Sequence, residues 1–389
     1  MESIQLNERI QVLDENIRRR EKRKIDKAEA KDFSFVSANL SNFLPEIPQC
    51  RHEDFYIDLM QHRSLAVFHS DLTTLVNRVQ ATGNLEFLDK IRTQPFIFCN
   101  YHLGSYRALL GFLVKEGVDF ALLLDDRTYT EQGEKITGSI RSLMEAAGRT
   151  VTFSMFNVED ASSMMRIGQW LHSGRSLVAY LDGNTGYGGI YSQAKDVFLR
   201  FDFMGMPMKN RKGIALLSYF TKVPVVPSIS YFVNKNDAPL LEFHPPVSPG
   251  AFANKEDYVL NTTLHLYGIL ETKLRQYPSQ WEPWLYIHKF LDTEELKKRR
   301  AQFSRMHTTK FRPDVTMEFN QEQYSLFRMG EMPYLFNRML YIAHQVSDDV
   351  YNILEKCSEA EAFIPGDLIP GASVPEELHR LGIIRRIND

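Results

Sequence analysis

The residue best suited to chemistry near neutral pH stands at the end of a short apolar run. Pro95-Phe96-Ile97-Phe98-Cys99-Asn100 has the composition of a buried strand, and Tyr101-His102-Leu103-Gly104 follows before a helical pattern over residues 108–115. A histidine presented on such a strand–turn–helix junction can act as a general base, because its unperturbed pKa lies close to neutrality. A single histidine at a strand end is more often an ordinary hydrogen-bonded side chain, so the catalytic reading draws on the blocks further along the chain.

Two aspartates occupy comparable positions. Asp125 follows the run 119–124 and Asp182 follows the run 176–181. Either can orient the His102 imidazole, and either can instead cap a turn through its own side chain. Arg107 lies five residues after His102; its guanidinium has donors only, so it cannot accept a proton from imidazole Nδ1, and its expected role is to bind substrate. Tyr106, Arg200 and Arg211 join it as candidate substrate-binding residues. The two arginines, with Lys209, suit an anionic carrier or a pantetheine phosphate, and solvated surface is the alternative. Asn184, a further candidate substrate-binding residue, lies in a glycine-rich stretch, 183–189, that fits neither the dinucleotide-binding nor the P-loop spacing and reads as a lid beside a pocket.

The elements that must position these residues alternate. Apolar runs at 95–100, 119–124, 150–153, 176–181 and 223–231 are separated by helix-like segments such as 134–147 and 161–172. This predicts an α/β fold, a central, mostly parallel sheet flanked by helices, with the ligand crevice beyond the carboxyl ends of the strands. Residues 33–91 read as several amphipathic helices. The longest apolar stretch, 213–233, contains Lys222, Pro224 and Pro227, and so reads as a helix and a buried strand instead of a membrane span. Phe198, Phe201 and Phe203 with Met204, Met206 and Met208 suit a hairpin that lines an acyl channel or packs on the core.

Composition bounds the partners. The 389 residues carry a formal net charge of -3, which gives no global field for nucleic acid. Cys50, Cys99 and Cys357 are too far apart in sequence to signal a disulfide framework or a zinc site, and a reducing cytosol fits. No cofactor or metal is called for. The start Met1-Glu2-Ser3 runs into charge, so no signal peptide is expected. Residues 8–31 suit a solvated helix whose basic run, Arg18 to Lys24, can rest peripherally on an anionic membrane or an acidic carrier protein.

The segment Phe98 to Arg107 resembles the strand-to-helix motif of the lipid A late acyltransferases, within the lysophospholipid/lipid A acyltransferase superfamily. There a histidine removes a proton from the acceptor as it attacks an acyl thioester, and a carboxylate a few residues on orients the imidazole. The resemblance implies this role for His102, while Arg107 stands where the family has its acid. Further blocks resemble the family in order: 174–184 ending in Asp182, the phenylalanine-rich 197–207, 211–216, the proline-bearing 223–227, and Tyr277-Pro278-Ser279-Gln280-Trp281 with Trp284 and His288. The implied activity is acyl transfer from a carrier protein or CoA thioester to an amine or hydroxyl. A catalytically inactive carrier- or peptide-binding relative, or a thioester hydrolase on the same fold, remain as alternatives.

Residues 324–387 resemble the small winged-helix modules of the PqqD-like kind, which capture a leader peptide as an added strand. That resemblance implies a ribosomally made peptide, or another natural-product precursor, as acceptor. The expected organisation is an N-terminal helical region 1–90, an acyltransferase-like domain 91–300, a linker 301–318 and the C-terminal module 319–389.

Overall fold

A computed structural model describes residues 25–26, 28–70, 78–160, 162–183, 198–234, 238–301, 311–369 and 373–387. Asn184, the following residues 185–189 of the glycine-rich stretch and most of the charged 8–31 segment lie outside the described residues.

The chain opens with helices α1 (Ala30–Phe43) and α2 (His52–Ser70). A short strand β1 (Gln80–Gly83) precedes β2 (Ile97–Asn100), α3 (Ala108–Glu116) and β3 (Phe120–Leu124). Then come α4 (Asp126–Ala147), β4 (Phe153–Asn157), α5 (Ser163–His172) and β5 (Ser176–Tyr180). The hairpin β6 (Phe198–Phe203) and β7 (Met206–Arg211) leads to α6 (Gly213–Thr221), β8 (Val225–Tyr231), β9 (Leu240–Phe243) and α7 (Lys255–Leu274). The C-terminal part holds α8 (Thr293–Arg299), β10 (Met317–Phe319), β11 (Tyr324–Met329), β12 (Met332–Asn337) and β13 (Ile342–Gln345). It closes with α9 (Asp348–Glu359), α10 (Pro365–Leu368), α11 (Ser373–Arg380) and β14 (Ile384–Arg386).

These elements form two compact units, one of Asp58–Phe203 with Met208–Pro283, the other of Met1–Ile57, Met204–Pro207 and Trp284–Asp389. The first unit holds a seven-stranded sheet in the order β1-β9-β8-β2-β5-β3-β4. Every pairing is parallel except β8 with β9. β2 lies at its centre and is buried on both faces: Phe96 and Phe98 enter one core with Leu109, Leu113 and Phe120, while Ile97 and Cys99 enter the other with Leu177, Leu217 and Leu266. Burial on both sides is why the run carries no polar alternation, as expected of a parallel strand covered by helices.

Three expectations need correction. The strand expected at 150–153 is Phe153–Asn157, because pairing with β3 runs on to Asn157 opposite Leu124. The helical reading of 33–91 fails at β1, which has little apolar signal of its own and forms only by pairing with β9. β9 itself, the antiparallel strand, was not anticipated.

In the second unit β11, β12 and β13 form an antiparallel sheet, and β10 pairs with β14. The β11–β12 hairpin is apolar on both faces. Tyr324, Leu326 and Leu335 pack with Leu354, Cys357 and Leu378, whereas Phe327 and Phe336 pack with Phe35 and Ala38 of α1. The C-terminal segment therefore shares a core with the N-terminal helix. Arg338, 2% exposed, reinforces this join: its guanidinium donates to Ser37 Oγ at 2.5 Å, Ser41 Oγ at 3.0 Å and the Gln321 carbonyl at 2.6 Å.

His52 closes the same cluster. Its Nε2 donates to the Ile47 carbonyl, which can only accept, so Nδ1 is left as the acceptor facing Ser37 Oγ and Arg338. Burial, and then the Arg338 charge, outweigh the Ile47 bond and push its pKa down to about 4. The unfolded chain binds a proton near the ordinary histidine value, so this contribution is intact above that value and is lost as pH falls toward about 4. The full loss is on the order of 3 kcal/mol. Urea unfolding compared at pH 7 and pH 5, where carboxylates stay ionised, is expected to show lower stability at pH 5 and a smaller drop in His52→Gln; equal drops would contradict the assignment.

Candidate active site

The register of β2 with β5 builds the site. Asn100 lies opposite Tyr180, so continuing each chain by two residues sets His102 beside Asp182. The carboxylate accepts from the His102 backbone N–H at 3.0 and 2.9 Å, and His102 Nδ1 lies 2.8 Å from Asp182 Oδ1. A carboxylate in this role can only accept, so Nδ1 carries the proton and Nε2 is left with its lone pair. The Asp182 side chain is 1% exposed and that of His102 20%. Substrate therefore meets the imidazole and not its partner.

Burial lowers the His102 pKa, but the charge and hydrogen bond of Asp182, aided by Glu282, outweigh it against the opposing Arg107. The net result is a pKa above the ordinary histidine value. Two aromatic rings fix the imidazole from the sides: Tyr106 at 4.7 Å and Tyr180 at 4.9 Å between centroids. The Tyr180 hydroxyl and Asn100 Nδ2 both donate to the Tyr106 carbonyl, at 3.1 and 3.0 Å, which pins the turn between β2 and α3.

The segment Gln280–Glu282 backs this turn like a fragment of strand. Gln280 O accepts from Gly104 N–H, Leu103 and Trp281 form an antiparallel bridge, and Glu282 N–H donates to the His102 carbonyl. The Gln280 amide also exchanges two bonds with the Phe232 backbone, at 2.8 and 2.9 Å, tying the segment to the end of β8. Trp281, fully buried, donates Nε1–H to Asp182 Oδ2 at 2.6 Å. The sequence showed this block only as a loosely spaced signature and did not reveal what it touches.

Gly104 is the tightest point of the turn. Its φ is +54°, and an added Cβ would stand 2.8 Å from both Ser230 O and Tyr231 Cα. Gly104→Ala is expected to cost about 2–5 kcal/mol, from left-handed backbone strain and overpacking against a neighbouring backbone. An unchanged urea midpoint would contradict this.

The other expected site residues divide. Asp125 is not among the partners of His102: it caps α4, accepting from Thr128 N–H at 2.9 Å. Arg107 is the residue before α3, and its guanidinium lies 5.7 Å from the Tyr106 ring centroid. Among the described residues no carboxylate forms an ion pair with it. Arg211 follows Asn210, whose Nδ2 reaches the carbonyl of Leu181, the residue before Asp182, at 3.5 Å; among the described residues its buried Nε has no hydrogen-bond partner. Arg200 is exposed on β6. Glu282 was not anticipated; its side chain pairs with Arg63 at 3.3 Å.

Among the described residues no serine, threonine or cysteine side chain is hydrogen-bonded to His102. Cys99, three residues before His102 on β2, is fully buried and its thiol is pushed up by that burial. Among the described residues the pair has no protein nucleophile beside it, an arrangement suited to deprotonating a group that arrives from outside. Among the described residues, no group of three or more His, Cys, Asp or Glu is placed to hold a metal ion, and no helix is long and apolar enough to cross a membrane.

No family model matches the chain, and no curated protein matches it. Among solved structures, it is similar to the 1-acyl-sn-glycerophosphate acyltransferase PlsC of Thermotoga maritima, at 13% identity and a TM-score of 0.31, over 66% of this chain and 98% of that one. The chemistry is therefore read from the site itself.

Proposed function

We propose that this protein is an acyltransferase that moves an acyl group from a carrier-protein or CoA thioester to an amine or hydroxyl acceptor. The observation that carries the proposal is the His102–Asp182 pair, with Nδ1 on the carboxylate and Nε2 free to act as base. His102 Nε2 takes the proton of the attacking group, the carbonyl carbon becomes tetrahedral, and the thiolate leaves. Asp182 steadies the imidazolium formed in that step, the part that the resemblance assigns to an acid at position 107. Arg107, released from that part, serves a substrate anion, with Arg211 as a second candidate. The motif order from Pro95 to His288 supports this reading.

For the acceptor we favour a peptide. In the second unit β13 is an edge strand whose Ala343, His344 and Gln345 are exposed, and an extended peptide can add to such an edge through main-chain hydrogen bonds. The test is mass spectrometry of the purified protein incubated with an acyl carrier or acyl-CoA and with peptide, amine and hydroxyl acceptors. A mass gain of one acyl group on an acceptor is expected; free fatty acid as the sole product would favour the hydrolase, and no turnover of any donor the binding protein.

A further inference from the structure

We infer that Trp281 is a positioning residue for the His102–Asp182 pair, acting through the second oxygen of the carboxylate. Its indole Nε1–H donates to Asp182 Oδ2 at 2.6 Å, while Oδ1 is the oxygen at His102 Nδ1. Trp281 is fully buried, and its backbone is bridged to Leu103, the residue after the histidine. One residue thus grips the carboxylate by side chain and the histidine turn by main chain. The indole can do so because it is a donor only and is held by packing, with Phe203 edge-on at 6.2 Å.

Two consequences follow for the base. The donor on Oδ2 fixes the carboxylate rotamer so that Oδ1 faces the imidazole. It also draws negative charge away from Oδ1, which tempers how strongly Asp182 holds the imidazolium. Among the described residues, the titratable and charged groups around His102 are Asp182 on the β5 side, Glu282 beside Trp281 with its partner Arg63 on α2, Arg107 before α3, and the Tyr106 and Tyr180 rings packed on the imidazole. Removing the indole donor leaves Asp182 a stronger acceptor toward Nδ1, so the His102 pKa rises. Asp182→Asn removes the carboxylate and lowers it. A packing defect that let water reach the site would also raise the histidine pKa by relieving its burial, so the opposite signs are read together with the Trp281 indole N–H resonance of the wild-type protein, which follows the His102 titration only where donor and carboxylate are coupled.

The test is an NMR titration of the His102 ring in the free, full-length protein, assigned by its absence in His102→Ala, for wild type, Trp281→Phe and Asp182→Asn. The inference expects the midpoint to move to higher pH in Trp281→Phe and to lower pH in Asp182→Asn. An unmoved or lowered midpoint in Trp281→Phe would overturn it. Should Trp281→Phe fail to fold, the wild-type protein still decides. Of three indole N–H resonances, one per tryptophan, that of Trp281 must follow the His102 titration, and an indifferent resonance overturns the inference.

The kinetic arm rests on the acyltransferase reading: Trp281→Phe is expected to lower kcat about tenfold with KM unchanged and to move the acidic limb of the rate profile upward. In an Asp182→Asn background the same change has little further effect, since the two act as a unit. Failure of acyl transfer in the wild type would remove the proposed function and leave the titration result standing.

Discussion

On the proposed function, His102→Ala is expected to lower acyl transfer by about 10²–10⁴-fold, the usual contribution of a general base, while the protein still folds. The fold survives because the change removes a side chain that is one-fifth exposed and spares the backbone N–H that Asp182 also accepts. Trp281 continues to hold the other carboxylate oxygen. The loss should fall on kcat and not on KM, because Nε2 acts on the proton only as the bond to the acyl carbon forms. Circular dichroism and steady-state rates check both halves. A rate within a few-fold of wild type would remove His102 from the mechanism.

Asp182→Asn has an effect of similar size, and its sign on the pH profile is distinctive. The carboxylate accepts from the His102 N–H, His102 Nδ1 and Trp281 Nε1, and all three groups are donors. A carboxamide offers one accepting oxygen and an NH₂ that must face a donor, so at least one buried bond is lost, at about 1–3 kcal/mol. The imidazole is then free to take the other tautomer, placing the proton on Nε2 where the base is needed; in a serine-protease triad the same swap costs about 10⁴ in kcat. Burial, which lowers the His102 pKa, is no longer opposed by Asp182. The plateau rate falls by two or more orders of magnitude and the acidic limb moves to lower pH. A limb that stays in place, or moves to higher pH, would show that Asp182 does not set the ionisation of His102.

The sheet and its reading frame were legible because β2, β5 and β8 are buried strands whose sequences are mainly apolar, β8 departing only at Ser228 and Ser230. Asn100-Tyr101-His102 and Tyr180-Leu181-Asp182 each carry the polar residue two places beyond the strand, so a parallel register brings the two together. Sequence alone left Asp125 equal to Asp182, since both follow apolar runs. The order of strands decides between them. β5 is the neighbour of β2, whereas β3 is one strand further away. The edge strand β1 and its neighbour β9 were hidden for the opposite reason: they are short, and each depends on its partners instead of on its own composition.

Trp281 and Gln280 stood in a recognised block, but no spacing rule connects residue 281 to residue 182, so their contacts required coordinates. The join between α1 and the C-terminal hairpin had a signal that went unused. Leu326-Phe327 and Tyr334-Leu335-Phe336 place apolar side chains on both faces, and a hairpin covered on one face only would alternate with polar residues.

The central claim is that His102 deprotonates an acceptor that attacks a thioester, and the most direct test is the rate of free-thiol release from an acyl-carrier or acyl-CoA thioester, measured with and without an amine or hydroxyl acceptor in wild type and His102→Ala. The account predicts release that depends on the acceptor in wild type and is nearly abolished by His102→Ala. Release that ignores the acceptor, or that persists in His102→Ala, would contradict it.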